Sequence, residues 1–366
     1  MRPIFRAVLV LALLCASSGA ALAERLRIQS LDGPGSIATT GLQKLADDLR
    51  ASSGGEIDIE VLPVRSAVGP TATLDAMKSG VIDGHYSSPA YFAGKDPAFA
   101  LIGDTLAAFP DPETRDRWFA ESRGIEYARK LYDRNGVHLV GIVYWPEEWL
   151  VAAKPATIMV DLSGMRIRAP NGPVGDFLAR VGARVVVLSG HDTLRAFDRG
   201  DIDAADWSNL AAEIEADVFA TARYAIRARH SMPVTEISVS NAAWSRLSPR
   251  AQALFESKVK AFSRSQKAAF DFALAAARAK ARDRGITLLE LSEKSRKEMR
   301  RKALAVIADW GEKSEDARAV AESQRAFLER LGIVEPDQTG GSGTGGSGTG
   351  GSGSGGSGLG GSGSGG

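Results

Sequence analysis

The sequence predicts an α/β fold of two similar lobes facing each other across a central cleft, braced by one long helix. Three observations predict it. The segment Thr73–Gly84 is echoed by Thr193–Ala204, with Thr, Leu, Ala, Gly, Ile and Asp coincident at one fixed offset. The flanks of both segments carry the same strand–helix–strand–helix–strand order, the mark of a repeated α/β unit. From Ser248-Pro249 onward a helical pattern runs to about Arg284 without a breaker.

In the first half, residues 26–30 read as a strand, 32–36 as a loop and 37–51 as an amphipathic helix. A strand over 57–62, a short helix over 72–79 and a strand over 81–86 follow. In the second half, the same order reads as strand 165–169, loop 171–173, helix 174–181, strand 184–188, helix 192–199 and strand 202–206. Gly80 and Gly200 stand where each short helix must stop in a left-handed turn. Ser248 supplies a hydroxyl cap and Pro249 the first residue of the long helix. Leu254, Val259, Phe262, Ala269, Phe272 and Leu274 keep roughly helical spacing along it. A strand over 286–291 and charged helices to Gly332 complete the chain's ordered part.

The two ends read differently. Arg2 and Arg6, the apolar run from Ala7 to Cys15 and Ala21-Leu22-Ala23 resemble a secretory signal, so residues 1–23 are expected to be removed after Ala23. Export to the periplasm follows from that reading. Cleavage also removes Cys15, the only cysteine, and with it any thiol nucleophile, disulfide or thiolate metal site. Residues 337–366 are dominated by Gly and Ser and form a flexible tail or linker. Between them, lobe I is expected over 24–148 with about 235–260 returning to it, and lobe II over 149–234 with parts of 261–336. Without Arg2 and Arg6 the body is near neutral and has no basic run, which argues against a nucleic-acid partner.

In open α/β sheets, ligands sit outside the carboxyl ends of the strands. The expected cleft walls are therefore the loops 32–36 and 87–91, carrying Ser88 and Tyr91, and the loops 168–171 and 206–209, carrying Asn171 and Asn209. Arg168 lies at a strand end before Ala169-Pro170-Asn171, where a guanidinium can clamp a carboxylate through two parallel hydrogen bonds. A surface ion pair is the competing reading, and Arg166 two residues earlier shows the ambiguity. Trp207 offers a flat apolar wall and Asp206 a group for a cation or a hydroxyl; a core tryptophan beside a solvated aspartate is the bland alternative. Trp145, Glu147, Glu148 and Trp149 form an acidic-aromatic cluster near the start of the second lobe. Glu236 falls on a strand face with Ser238 and Ser240, as a metal ligand or an exposed glutamate. His85, His138, His191 and His230 are scattered, with no pair at metal-ligand spacing, and no nucleophile elbow or phosphate loop stands in context. No catalytic residue is expected.

At these residues the chain resembles a family. Ser163-Gly164-Met165-Arg166-Ile167-Arg168-Ala169-Pro170 resembles the segment of TRAP transporter solute-binding proteins, the DctP type, whose second basic residue binds the substrate carboxylate. That residue falls on Arg168. Ser88-Pro89-Ala90-Tyr91-Phe92-Ala93-Gly94-Lys95-Asp96-Pro97-Ala98 and Ile202-Asp203-Ala204-Ala205-Asp206-Trp207 are similar to segments of the α-keto acid and lactate binders in that family. The resemblance implies a bilobal periplasmic binding protein-like fold that captures a small organic carboxylate, a keto or hydroxy acid, for TRAP membrane subunits. It implies Arg168 at the substrate carboxylate and Asp206 with Trp207 at a bridging metal ion; read with the residues, Tyr91, Trp145 and Trp207 line the cleft, and Asp206 with Glu236 is expected to hold a Na⁺ or Ca²⁺. Some members are homodimers, and the helical region after Ser292 is the candidate interface. Asp206 is one methylene shorter than the family's Glu, and Ser208-Asn209 stands where the subgroup has Val-Gly; Asn209 can supply a hydrogen bond the subgroup lacks. Two other readings stay open: an ABC-type or sensor-associated receptor, and a secreted hydrolase or lyase using Asp206 and His230.

Overall fold

A computed structural model describes residues 24–188 and 190–336; the expected signal segment and the Gly/Ser tail lie outside the described residues. Two sheets carry the architecture. The first is built from β1 (Glu24–Gln29), α1 (Ile37–Ser52), β2 (Ile57–Leu62), α2 (Thr73–Lys78) and β3 (Gly84–Ser87). After α3 (Pro97–Gly103), α4 (Pro112–Glu121) and α5 (Gly124–Arg134), the chain returns as β4 (Val137–Val143). It then crosses to the second sheet: β5 (Trp149–Ala152), β6 (Arg166–Ala169), α6 (Pro173–Arg180), β7 (Arg184–Val187), α7 (Thr193–Asp198), β8 (Ala204–Ser208), α8 (Leu210–Glu215) and β9 (Tyr224–Arg227). β10 (Thr235–Ser240) goes back to the first sheet, followed by α9 (Asn241–Arg246). α10 (Pro249–Asp283) leads to β11 (Thr287–Glu290), α11 (Glu293–Gly311) and α12 (Glu315–Arg330).

The strand orders are β2-β1-β3-β10-β4 and β11-β9-β5-β8-β6-β7. Each sheet therefore holds a parallel trio, β2-β1-β3 or β7-β6-β8, flanked by an antiparallel strand, β10 or β5. The repeated segments occupy equivalent places, as an α/β fold of two similar lobes requires. Each repeat's aspartate does the same work. Asp83 accepts from the Arg27 backbone N–H at 2.9 Å and Asp203 from that of Arg166 at 2.9 Å. This side-chain pairing stands in for ladder bonds, so β3 and β8 begin after the aspartate, later than the residues 81 and 202 expected from sequence.

Apolar faces fix the packing. Leu26, Ile28, Leu42, Leu49, Tyr86, Phe255 and Phe262 fill the space between the first sheet, α1 and α10. Trp149, Phe197, Leu210, Ile214 and Ala277 do so in the second lobe. α10 spans both cores, with Ser248 capping its first turn by accepting from Ala251 N–H at 3.2 Å. Its buried stripe runs through Phe255, Val259, Phe262, Gln266, Phe270, Ala277 and Ala281. Phe272 lies off that stripe and is 79% exposed, against its expected place among the apolar positions. Of the C-terminal helices, α12 packs on α3 and α5 of the first half, and α11 on α6 and α3. One core thus runs beneath both lobes, through Leu101, Phe177 and Phe327. No helix among the described residues is long and apolar enough to cross a membrane.

Candidate functional site

A cavity of about 960 Å³ opens between the two sheets, walled by loops at strand ends of both. Ser88 and Tyr91 contribute from the first sheet, and Asn171, Asp206, Trp207 and Asn209 from the second. The crossover from β4 to β5 adds Trp145 and Glu148, and α10 adds Phe270.

Local structure sets each side chain. Ser88 precedes the tight turn Pro89–Phe92, which Gly103 of α3 approaches so closely that a Cβ there would lie 2.2 Å from Ala90 N. Tyr91, on that turn, is 40% exposed. Trp145 meets Phe270 edge to face, with ring centroids 5.0 Å apart. Asn171 is exposed in the turn before α6. Asn209 caps α8, its Oδ1 accepting from Ala212 N–H at 3.2 Å. Trp207 donates its Nε1–H to the Gly190 carbonyl at 3.0 Å.

Arg168 is buried in β6, 8% exposed, behind this wall. Its Nε donates to the Leu188 carbonyl at 3.0 Å and its Nη1 to the Asp206 carbonyl. Gly190 lines the cavity, and a Cβ there would stand 3.9 Å from Arg168 Nη2 and 3.4 Å from Trp207 Nε1. The guanidinium is thus fixed by main-chain carbonyls one residue's thickness from the cavity. Arg166 resolves differently, holding Asp203 through Nε and Nη2 at 3.1 and 3.0 Å near the surface.

Glu236 is not at this site. It is fully buried on β10, accepting from Tyr132 Oη at 2.8 Å and Ser238 Oγ at 2.8 Å, with His85 Nε2 at 2.9 Å. Strand alternation placed Glu236 and Ser238 on one face correctly, but that face turns into the core of the first lobe, so the expected grouping of Glu236 with Asp206 and Trp207 fails.

The groups that do meet Asp206 are Glu148 and His230. Their donor atoms lie within 4.8 Å of one another. Glu148 and Asp206 share a hydrogen bond, and His230 Nε2 lies 2.7 Å from Asp206 Oδ1. Ser231 continues the chain, its hydroxyl donating to Asp104 Oδ2 at 2.6 Å and lying 3.2 Å from Glu148 Oε2. Burial pushes Asp104 up to about 6. Burial, then the charge of Asp206, lifts Glu148 well above the usual carboxylate range, and burial raises Asp206 itself. Burial lowers His230, which keeps its imidazole neutral. Its Nδ1 has no partner among the described residues, so the proton sits on Nε2 and is donated to Asp206. The whole is a largely buried, proton-bearing acidic wall of the cavity, which Trp145 and Trp207 also line.

Sequence reasoning noted Glu148 as part of an acidic-aromatic cluster and an acidic stretch where the resemblance departs, and His230 as a partner in the hydrolase reading, but not their meeting at Asp206. Asp104 and Ser231 carried no signal, because the turn after α3 and the crossover after β9 meet only in the fold. Glu147, the neighbour in that cluster, turns away to pair with Arg227.

Comparison with known proteins agrees with this architecture. A curated Nostoc sp. protein named a monocarboxylate 2-oxoacid-binding periplasmic protein is 26% identical over 181 residues. That match spans 48% of each chain, about half of the relative's length. The 2,3-diketo-L-gulonate-binding periplasmic protein of Escherichia coli is 22% identical over 262 residues, covering 69% of this chain and 76% of that one. Among solved structures, a TRAP periplasmic solute-binding protein from Rhodobacter sphaeroides in an apo open form is 29% identical, with a TM-score of 0.75 over 85% of this chain and 100% of that one. A Rhodoferax ferrireducens protein with bound malonate shares the fold at 20% identity and a TM-score of 0.74, over 84% and 99% of the two chains. The bacterial extracellular solute-binding proteins of family 7, DctP, match over residues 29–314, and this chain belongs to that family.

Proposed function

We propose that the chain is the periplasmic receptor of a TRAP-type transporter, capturing a small organic carboxylate between its lobes and presenting it to the membrane subunits. Cleavage after Ala23 releases it. The observation that carries this reading is the cavity walled by both sheets, with Arg168 held behind the Asp206–Trp207 wall. A guanidinium already anchored by carbonyls loses little freedom when it takes a carboxylate, and charge-assisted bonds are the strong ones. The 2-oxoacid and diketogulonate binding of the curated relatives points to the same ligand class.

A hard cation, Na⁺ or Ca²⁺, fits the acidic wall. Glu148 and Asp206 are two oxygen donors pressed together with a shared proton, which such a cation would displace. The cation would draw the ligand's second oxygen, while this chain's residues orient it: Arg168 toward the carboxylate, Trp145 and Trp207 flanking the carbon skeleton.

The test is a thermal-shift and calorimetric screen of small organic acids, with and without Ca²⁺ or Na⁺. At about 100 times the dissociation constant a ligand adds about 2.7 kcal/mol of stability. Keto or hydroxy monoacids are expected to bind once per chain in the cation's presence, and Arg168→Ala to weaken them about 100-fold, the loss of two charge-assisted bonds. Affinity intact in Arg168→Ala would overturn the site. Binding that needs no cation would discard the metal and assign the acidic wall to a hydrogen-bond donor on the ligand. Steady turnover of the acid, instead of stoichiometric capture, would favour the hydrolase reading.

A further inference from the structure

A second pocket, of about 220 Å³, is lined by Ala228 and Arg229 at the start of the crossover from β9 to β10 and shares no lining residue with the cleft. Arg229, Arg296, Lys297 and Arg300 line it, with Glu293 as the one carboxylate. We propose that this pocket binds a doubly charged oxyanion of the size of phosphate or sulfate. The proposal does not rest on the reading of the cleft.

Its arginines are placed, not loose. Arg229 Nη1 donates to the Pro110 carbonyl, Arg296 Nη1 to that of Leu291 at 2.6 Å, and Arg300 Nε to that of Ala108 at 3.1 Å. Each guanidinium has five N–H donors, and each is thereby aimed with donors to spare. The Nε of Arg229 is buried without a hydrogen-bond partner among the described residues, and Glu147 Oε2 stands off at 3.8 Å.

The surrounding acids are mostly engaged by other cations, with Glu147 reaching Arg229 only at 3.8 Å. Glu147 and Glu290 are both bound by Arg227, and Glu293 pairs with Lys297 at 3.1 Å on the exposed side. Asp111 acts on Arg300 only as a weak favourable charge. The arginines consequently press on one another. Burial first, then like charge from Arg227 and Arg296, lowers Arg229 against the opposing pull of Glu147, and burial, then Arg296 and Arg229, lowers Arg300. An anion would relieve both.

Two backbone features agree. Arg229 is held at φ 53°, a left-handed conformation that a long side chain adopts only when the surroundings dictate it. Arg296, Lys297 and Arg300 ride the opening turns of the 19-residue α11, whose dipole adds positive potential at its start. A strained arginine, an unpartnered Nε, three carbonyl-anchored guanidiniums and a helix start converge on one hollow.

The experiment is calorimetric titration of the full exported chain with sodium sulfate and, separately, sodium phosphate, against sodium chloride at matched ionic strength. One saturable anion per chain is expected. The double variant Arg296→Gln/Arg300→Gln should lower affinity at least about tenfold, the scale of one lost charge-assisted contact. Lys297→Gln, at an exposed position that leaves the fold intact, should lower it severalfold, and Arg168→Ala should leave it unchanged. Similar affinity for the two anions would show recognition by charge and size, and a preference would name the source. The proposal falls if neither anion gives heat beyond chloride, if both pocket variants keep wild-type affinity, or if Arg168→Ala alone abolishes binding and so moves the anion into the cleft.

Discussion

Two carboxyl groups that meet in a largely buried site cannot both ionise cheaply, and Glu148 and Asp206 meet in that way, with Asp104, Glu213 and neutral His230 close behind and Arg168 as the cation acting on Asp206. All four carboxyls are raised by burial. A carboxyl whose folded pKa exceeds its unfolded one binds more protons folded than unfolded between those two values, so stability falls as pH rises through that window. For Asp104 the window runs from the ordinary 3.8 to about 6, and its closing costs about 3 kcal/mol. Ligand-free protein should therefore lose stability from about pH 4 toward 7 in urea titrations. Asp104→Asn, whose amide oxygen still accepts from Leu106 N–H, and Glu148→Gln, which still donates to Asp206, should each flatten the decline. Equal slopes in wild type and both variants would show that these groups do not carry it. Ca²⁺ binding, where it occurs, should strengthen over the same interval as it displaces the shared proton.

At the scale of elements, much of the fold was legible. Gly80 and Gly200 end α2 and α7 at φ 74° and 69°, and the strand–helix alternation around them needs only local pattern to read. The cleft walls followed, because strand ends are also local. What sequence could not show is which buried face a polar residue enters. Glu236 and Asp206 both sit on strands, yet one faces Tyr132 and His85 and the other faces Glu148 and His230, a choice made by packing between elements far apart in the chain. Arg168 illustrates the same limit: its strand end was readable, its retreat behind Gly190 was not. One position tests how elements hold the site. Gly103 ends α3 with its Cα against Ala90, where an added Cβ would fall 2.2 Å from the Ala90 nitrogen and 2.7 Å from its Cα. Backbone cannot yield as a side-chain tip does. Gly103→Ala should cost about 3 kcal/mol by overpacking. It should also weaken the bound acid, because the displaced turn carries Ser88 and Tyr91. Thermal unfolding and calorimetry check both; a destabilised variant with unchanged affinity would detach that turn from the site.

For the whole molecule, the chain passes between the sheets from β4 to β5, from β9 to β10 and along α10 to β11. The first two crossovers carry Trp145, Glu148, His230 and Ser231, so any movement of one lobe against the other turns about segments that also form the acidic wall. One residue joins them. Arg115 of α4 is fully buried, and its Nη1 donates to the Trp145 carbonyl at 3.0 Å and to the Pro233 carbonyl. A ligand touching both walls favours the closed arrangement only by its differential contacts there, and those contacts require the crossovers to keep their spacing. Arg115→Met retains the apolar stem and removes the clamp, leaving two buried carbonyls short of a donor at a cost of about 3 kcal/mol. The variant is expected to unfold at lower urea and to bind the acid more weakly. In wild type, saturating ligand should reduce the radius of gyration measured by X-ray scattering; in the variant the contraction should be smaller at equal saturation. A full contraction in Arg115→Met would mean that the clamp stabilises the fold without governing closure, and no contraction in wild type would mean that the lobes receive their ligand without closing.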